Sequence, residues 1–227
     1  MSATASDRRP ARQPRALRTR QAIVDAGRTL FSEKPIDAVA IDEIVQAAGV
    51  AKGSFYNHFA DRDALVKAIS KDVRDTVERA IAVHNRDVED PARRLVRAVA
   101  TYFRFALDDA ERAGYLVRFY GGGTSLTAPY NKGLVDDISR GLREGRFTVP
   151  TVQSGVLFVL GVAHTTLVAL LRDSQIDLAV SLSQQMCTLL LKGLGLDEPE
   201  AARLAAQTSE EIMRAGDPGE GAKLPGQ

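Results

Sequence analysis

Cysteine occurs once in these 227 residues, at Cys187, and histidine three times, at His58, His84 and His164. A single thiol excludes an internal disulfide framework and any multi-cysteine zinc site, and it points to a reducing compartment. No H-E-x-x-H, no G-x-S-x-G and no zinc-type Cys/His spacing is present, so no catalytic residue, metal site or cofactor is nominated and no enzyme is expected. Gly121-Gly122-Gly123 lacks the Gly-Lys-Ser/Thr ending and the preceding strand of a phosphate loop, and reads as a break between helices. Strand-like alternation and internal repeats are also missing. The polar, arginine-rich amino terminus has no apolar run behind it, so neither export nor membrane anchoring is expected and the location reads as cytoplasmic.

What is present is helical and unevenly charged. Hydrophobic residues make up 44% of the chain, enough for a core, and the length suits two domains sharing one long helix. Residues 1–71 carry 12 Lys and Arg against 8 Asp and Glu, whereas residues 72–227 carry 18 against 21. Six arginines, Arg8, Arg9, Arg12, Arg15, Arg18 and Arg20, precede or begin the first helix, opposed only by Asp7. Such an arm suits phosphates or a narrow minor groove, and reads equally as a disordered solubilising tail.

The basic half contains I-D-E-I-V-Q-A-A-G-V-A-K-G-S-F-Y-N-H-F-A-D-R-D-A-L, from Ile41 to Leu65. Ile41, Ile44, Val45 and Ala48 recur at helical spacing, Gly49 supplies a break, and Phe55 and Phe59 stand four apart on a shorter second helix. This is the pattern of a helix-turn-helix. Donors surround the two phenylalanines, and donors are what DNA requires. The start of such a second helix meets base edges, which nominates Lys52, Gly53 and Ser54; Lys can donate to guanine O6 and N7, and Asn57 can pair with adenine. At Gly53 a bare backbone allows close approach to DNA, at a cost of about 1 kcal/mol in helix propensity.

These residues resemble the amino-terminal domain of the TetR family of transcriptional regulators, whose pattern is G-V-S-K-G-T-L-Y-x-H-F-x-x-K-x-x-L. Gly49, Val50, Lys52, Gly53, Tyr56, His58, Phe59 and Leu65 match it, with Ser54, Phe55 and Arg62 as conservative replacements. The resemblance implies that Tyr56, His58 and Arg62 contact phosphates, and that the rest of the chain is helical. Where the family has a Thr or Ser cap, this chain has Ala40 and Ala51, and Asp42 stands where some relatives reach DNA with a basic residue.

The expected architecture is all-α, with a three-helix DNA-binding domain joined by a long helix to a helical ligand-binding and dimerisation domain. The boundaries read as a disordered basic arm over residues 1–14, a DNA-binding domain over 15–61, an effector-binding and dimerisation domain over 62–214, and a disordered tail over 215–227. Asp61 and Asp90 are expected N-caps, and Leu65, Ile69, Val73, Val77 and Ile81 form one stripe. Residues 151–172 are apolar almost all round and interrupted by His164-Thr165-Thr166, which favours burial over a membrane span of about 20 largely apolar residues. With residues 177–194 this segment offers more apolar surface than one packing face uses. A homodimer interface with Leu160, Leu167, Leu182, Met186 and Leu189 is therefore expected. Tyr102, Phe103, Arg118, Phe119, Tyr120, Tyr130, Phe158, His164 and Thr165 combine aromatic surface with a few polar groups, the make-up of a small-molecule pocket. Together these features predict a dimeric regulator, a repressor in the family's usual mode, released from a palindromic operator in double-stranded DNA by a small apolar or aromatic effector. The alternative is a helical DNA-binding or protein-interaction protein without small-molecule control.

Overall fold

A computed structural model describes residues 15–118, 125–172 and 175–214, apart from the side chain of Arg118. The described residues are all-α. The first helices are α1 (Arg15–Glu33), α2 (Ile41–Ala47), α3 (Lys52–Tyr56), α4 (Arg62–His84) and α5 (Pro91–Asp108). There follow α6 (Ala110–Arg118), α7 (Lys132–Arg143), α8 (Val152–Arg172), α9 (Ile176–Gly193) and α10 (Glu198–Thr208), which ends in one π-helical turn, Ser209–Arg214. The expected arm and tail lie outside the described residues, as do Phe119, Tyr120 and the triple glycine.

Two compact units divide the chain, the first ending at Ile69 and the second beginning at Ser70. The division thus falls within α4, beyond the position expected from sequence. Its physical reason is packing: Leu65 and Ile69 are fully buried, and their side chains close over Gly27 of α1, where a Cβ would come within 2.8 Å of Leu65.

In the first unit α1 packs against α2 and α3. Ile23, Phe31, Ile44 and Phe55 form its fully buried core. The turn between α2 and α3 depends on Gly49, whose φ of 63° lies in the left-handed region. There its N–H reaches Gln46 O at 3.1 Å and that of Val50 reaches Val45 O at 3.0 Å, a Schellman closure that satisfies the last carbonyls of α2. The missing hydroxyl caps are real: neither Ala40 nor Ala51 makes a side-chain cap bond. At α2 the return half of a capping box survives, because Glu43 Oε2 accepts from Ala40 N–H at 3.1 Å.

The second unit is built around α5, which packs against α6, α7, α8, α9 and α10. Asp61 and Asp90 cap as expected: Asp61 Oδ1 accepts from Ala64 N at 2.7 Å, and the Asp90 carboxylate accepts from Ala92 N and Arg93 N at 3.3 and 3.2 Å. Arg146 then ties the cap of α5 to the first turn of α10 through a fork to Asp90 (2.9 Å) and Glu200 (2.7 Å). Among the described helices α8 is the one long and apolar enough to cross a membrane, yet it packs against α5, α6, α7 and α9. Burial all round is not what it shows: Leu157, Phe158, Gly161 and Thr165 remain exposed, because its partners cover one side only.

Candidate functional site

On the first unit the expected DNA-reading side chains share a surface. Phe55 is fully buried and stacks edge-on with Tyr56 at 5.5 Å and obliquely with Phe59 at 5.7 Å. That anchor leaves Lys52, Gly53, Tyr56 and Asn57 exposed and Ser54 and His58 half-buried. Nothing stands within 4 Å of where a Gly53 Cβ would be, so the backbone there is open to an approaching groove. Arg20 of α1 lies 5.2 Å from the Phe59 ring, which places one of the six amino-terminal arginines beside the motif.

Two of these residues have partners that the sequence did not disclose. Lys52 Nζ meets Asp42 Oδ1 at 2.7 Å, and that hydrogen bond raises the lysine's pKa above its ordinary value. The candidate base-reading cation is thus paired with a carboxylate on α2. Arg62 does not project as a free phosphate contact: its guanidinium donates to Asp37 O (3.0 Å), Val39 O (3.3 Å) and Asp37 Oδ1 (3.0 Å). Its evident work is to fasten the α1–α2 connection to the start of α4. An arginine three residues after a phenylalanine pair gives no hint of this, because the bonds close over 23 and 25 residues.

The second unit contains a cavity of about 130 Å³ among α4, α5, α6, α7 and α8. Tyr102, Tyr130 and His164 of the expected effector group line it. Phe103 does not; it is fully buried in the core, one position from Tyr102 and on the other side of α5. Phe158 lies on the outer face of α8, 38% exposed, against Gly193, where a Cβ would come within 2.5 Å of its ring. Thr165 is exposed, its hydroxyl bonded to Gly161 O at 2.9 Å. Helical geometry separates these from His164, since residues one or six positions away face elsewhere.

Polar residues that the sequence reading passed over complete the wall. Glu78 Oε1 accepts from Tyr102 Oη at 3.0 Å. Burial, opposed by that bond, raises the Glu78 carboxyl above its usual range, and burial beside Glu78 pushes the Tyr102 phenol far up. Arg74 lies 4.5 Å from the Tyr130 ring centroid. Arg94 Nε bonds Asp137 Oδ1 at 2.7 Å, and its Nη1 reaches the carbonyls of Asn85 and Val88 at 3.1 Å each. His164 is half-buried and its pKa is lowered by burial, which favours a neutral imidazole. Arg74 and Glu78 are spaced four apart on α4, a pattern visible in sequence; the pairing of Arg94 with Asp137 is not.

Of the expected interface residues, Leu160 and Leu167 turn inward to the cavity wall, Leu182 and Met186 are half-buried, and Leu189 is 57% exposed. Leu157, Phe158, Ile176 and Leu178, missed in that expectation, add exposed apolar surface on α8 and α9. Gly155 is closed by Ile138 within the unit, whereas Gly161 faces open space.

The family model for bacterial regulatory proteins of the tetR family matches residues 23–69, which lie wholly within the first unit. That segment is similar to the DNA-binding part of tetR-family regulatory proteins. The family so matched is one of transcriptional regulators rather than enzymes. It is 41% identical over 68 residues to the A-factor receptor protein of Streptomyces griseus, covering 30% of this chain and 25% of that one. Against the HTH-type transcriptional repressor DhaR of Mycobacterium sp. (strain GP1) it is 31% identical over 98 residues, 43% of this chain and 48% of that one. The chain therefore spans a quarter to about half the length of these curated relatives. The crystal structure of RolR in complex with resorcinol aligns over 85% of this chain and 95% of RolR, with a TM-score of 0.66 and 25% identity.

Proposed function

We propose that this chain is a homodimeric TetR-family repressor that binds a palindromic operator and leaves it when a small apolar or aromatic effector occupies the cavity of the second unit. The observation that carries the reading is α4. Its first turns pack into the helix-turn-helix unit through Leu65 and Ile69, and its later turns supply Arg74, Glu78 and Ile81 to the cavity wall. One helix therefore belongs to both sites. A ligand that shifts the preferred placement of α4 changes how the two recognition helices of a dimer meet two half-sites. By linkage, the effector binds the DNA-bound form less tightly by the factor by which it weakens operator binding.

In this reading Lys52, Gly53, Ser54 and Asn57 face bases while Tyr56 and His58 face phosphates. The exposed apolar face of α8 and α9 is covered by the same helices of a second copy, as expected for an isologous interface. Repression is supported by DhaR, which is named as a repressor, and a one-ring effector by RolR, which was crystallised with resorcinol. A regulator without ligand control would have no use for a cavity with a mixed polar and apolar wall.

Selection of genomic fragments over a range of salt concentrations tests the DNA half of the proposal. A palindromic sequence should emerge, with affinity falling steeply as salt rises. Lys52→Ala should alter base preference, and Tyr56→Phe should weaken all sequences evenly. Failure to enrich any sequence would sink operator recognition. For the ligand half, small ring compounds including resorcinol are screened for release of the selected operator. Ala163→Leu, which fills the cavity, should abolish release and spare effector-free DNA binding.

A further inference from the structure

We infer that the cavity selects a neutral, single-ring compound bearing a hydroxyl group, and that this hydroxyl donates to the Glu78–Tyr102 pair. The inference rests on the reading of the cavity as the effector site and adds the chemistry of its occupant.

Size comes first. An engineered apolar cavity of about 150 Å³ holds benzene, so a cavity of about 130 Å³ suits one six-membered ring with a small substituent. Leu95, Val99, Leu116, Val159 and Leu167 supply the apolar wall that a ring requires.

Charge comes second. The wall contains two arginines and two carboxylates, Arg74, Arg94, Glu78 and Asp137. Arg94 is held by Asp137 and two backbone carbonyls, and Arg74 lies over the Tyr130 ring. An anionic ligand entering such a wall would meet Glu78 and Asp137 without a guanidinium set aside for it. A neutral ligand leaves the pairing undisturbed.

The direction of the hydrogen bonds decides the rest. A phenol has one proton, and Tyr102 gives its proton to Glu78. Its oxygen is left to accept, and an ionised carboxylate beside it also only accepts. Of the wall's side-chain amides, Asn85 Nδ2 donates to Arg94 O at 3.0 Å and Asn131 Nδ2 to Ser125 O at 2.8 Å, while Asn85 Oδ1 is a buried acceptor with no hydrogen-bond partner among the described residues. Neutral His164 has one donor and one acceptor nitrogen and so favours neither polarity. The polar edge formed by Glu78 and Tyr102 thus asks for a donor. A ligand hydroxyl also restores to the buried Glu78 carboxylate part of the solvation that burial removed.

Calorimetric titration of the full chain with phenol, toluene, anisole and benzoate tests this. Toluene keeps the ring without oxygen, anisole keeps the oxygen without its proton, and benzoate adds charge. Phenol should bind at least about tenfold more tightly than toluene or anisole, and benzoate no more tightly than toluene. Glu78→Gln should erase most of the preference for phenol over toluene. The four-ligand series on the unaltered protein decides the matter even if that variant folds poorly. Equal binding of anisole or toluene and phenol, tighter binding of benzoate, or no binding by any of the four overturns the inference. The effector-site reading fails by a different result: ligand-driven operator release that persists in Ala163→Leu, or a broad screen that yields no release at all.

Discussion

The two units are made of the same element and stabilised in opposite styles. Among the described residues, every buried side chain of the first unit is apolar, whereas the second buries Ser70, Asn85, Thr101, Asn131, Asp137, Thr166, Ser183, Thr208 and Ser209. The second unit also bears most of the exposed large apolar side chains, including Leu157, Phe158, Leu178 and Leu189. In the first unit, polar groups stay on the surface, where DNA can meet them, and the interior does nothing but hold the helix-turn-helix. The second unit accepts polar groups inside and apolar groups outside, each unfavourable for an isolated folded chain. The lesson is that the first unit's ordinary burial leaves its donors on the surface, whereas the second unit's departures from it coincide with the cavity and the outer helix face proposed for effector and partner.

The largest expected effect breaks the first unit alone. Phe55→Ala removes the anchor of α3 from a small core and should cost about 3–5 kcal/mol, enough to unfold that unit and abolish DNA binding. Thermal unfolding followed by circular dichroism should then show α5–α10 melting without the first unit's contribution. A variant that keeps full helicity and operator affinity would contradict an all-apolar, marginal core.

Next comes the outer face of the second unit. Leu189→Glu places charge on a side chain that is 57% exposed, so the subunit should stay folded while sedimentation shifts from dimer to monomer. Operator affinity should fall by about a hundredfold or more as two half-sites cease to be bound together. A stable dimer in that variant would move the interface elsewhere.

Arg62→Ala separates a structural role from a phosphate-contacting one. Loss of its bonds to Asp37 and Val39 should destabilise the first unit by about 1–3 kcal/mol, seen in chemical denaturation. The slope of DNA affinity against salt should stay as it was; a shallower slope would restore Arg62 to the phosphate-contacting set.

Asp42→Asn is smaller. It frees Lys52 from its carboxylate and removes a like charge from the DNA-facing surface, and it should tighten DNA binding at low salt by about two- to fivefold. Weaker binding in a mobility-shift titration would mean that Asp42 orients Lys52 productively.

The smallest effect is a pH dependence confined to the second unit. Burial lowers the folded-state pKa of His164 below its ordinary 6.5, so the unfolded chain binds the proton more readily. Stability from this group is complete above about pH 6.5 and is lost as pH falls through the folded value. Glu78, raised by burial, works in the opposite sense at lower pH, gaining stability as it is protonated. The difference between the unaltered chain and His164→Gln isolates the histidine: the variant should lose less stability between pH 7.5 and 5.5, as measured by urea unfolding.

Much of the first unit was legible because its determinants are local. Gly49 in a left-handed turn, Phe55 and Phe59 four apart, and the cap at Asp61 act over one or two helical turns, and all appear where the sequence puts them. The effector group was only partly legible. Tyr102, Tyr130 and His164 reach the cavity, but Phe103, Phe158 and Thr165 do not, because an aromatic residue on a helix can face core, cavity or surface according to a rotation of 100° that composition does not record.

By itself, then, the sequence determined the helical class, the helix-turn-helix and its polar surface, since periodicity, turn glycines and capping side chains are short-range physics. Tertiary structure alone decided that Lys52 is paired with Asp42, that Arg62 fastens the start of α4, and that Tyr102 donates a hydrogen bond to Glu78 at the cavity's edge. Each of these depends on side chains brought together across 10, 25 and 24 positions of chain, and only packing fixes which of many such encounters occurs.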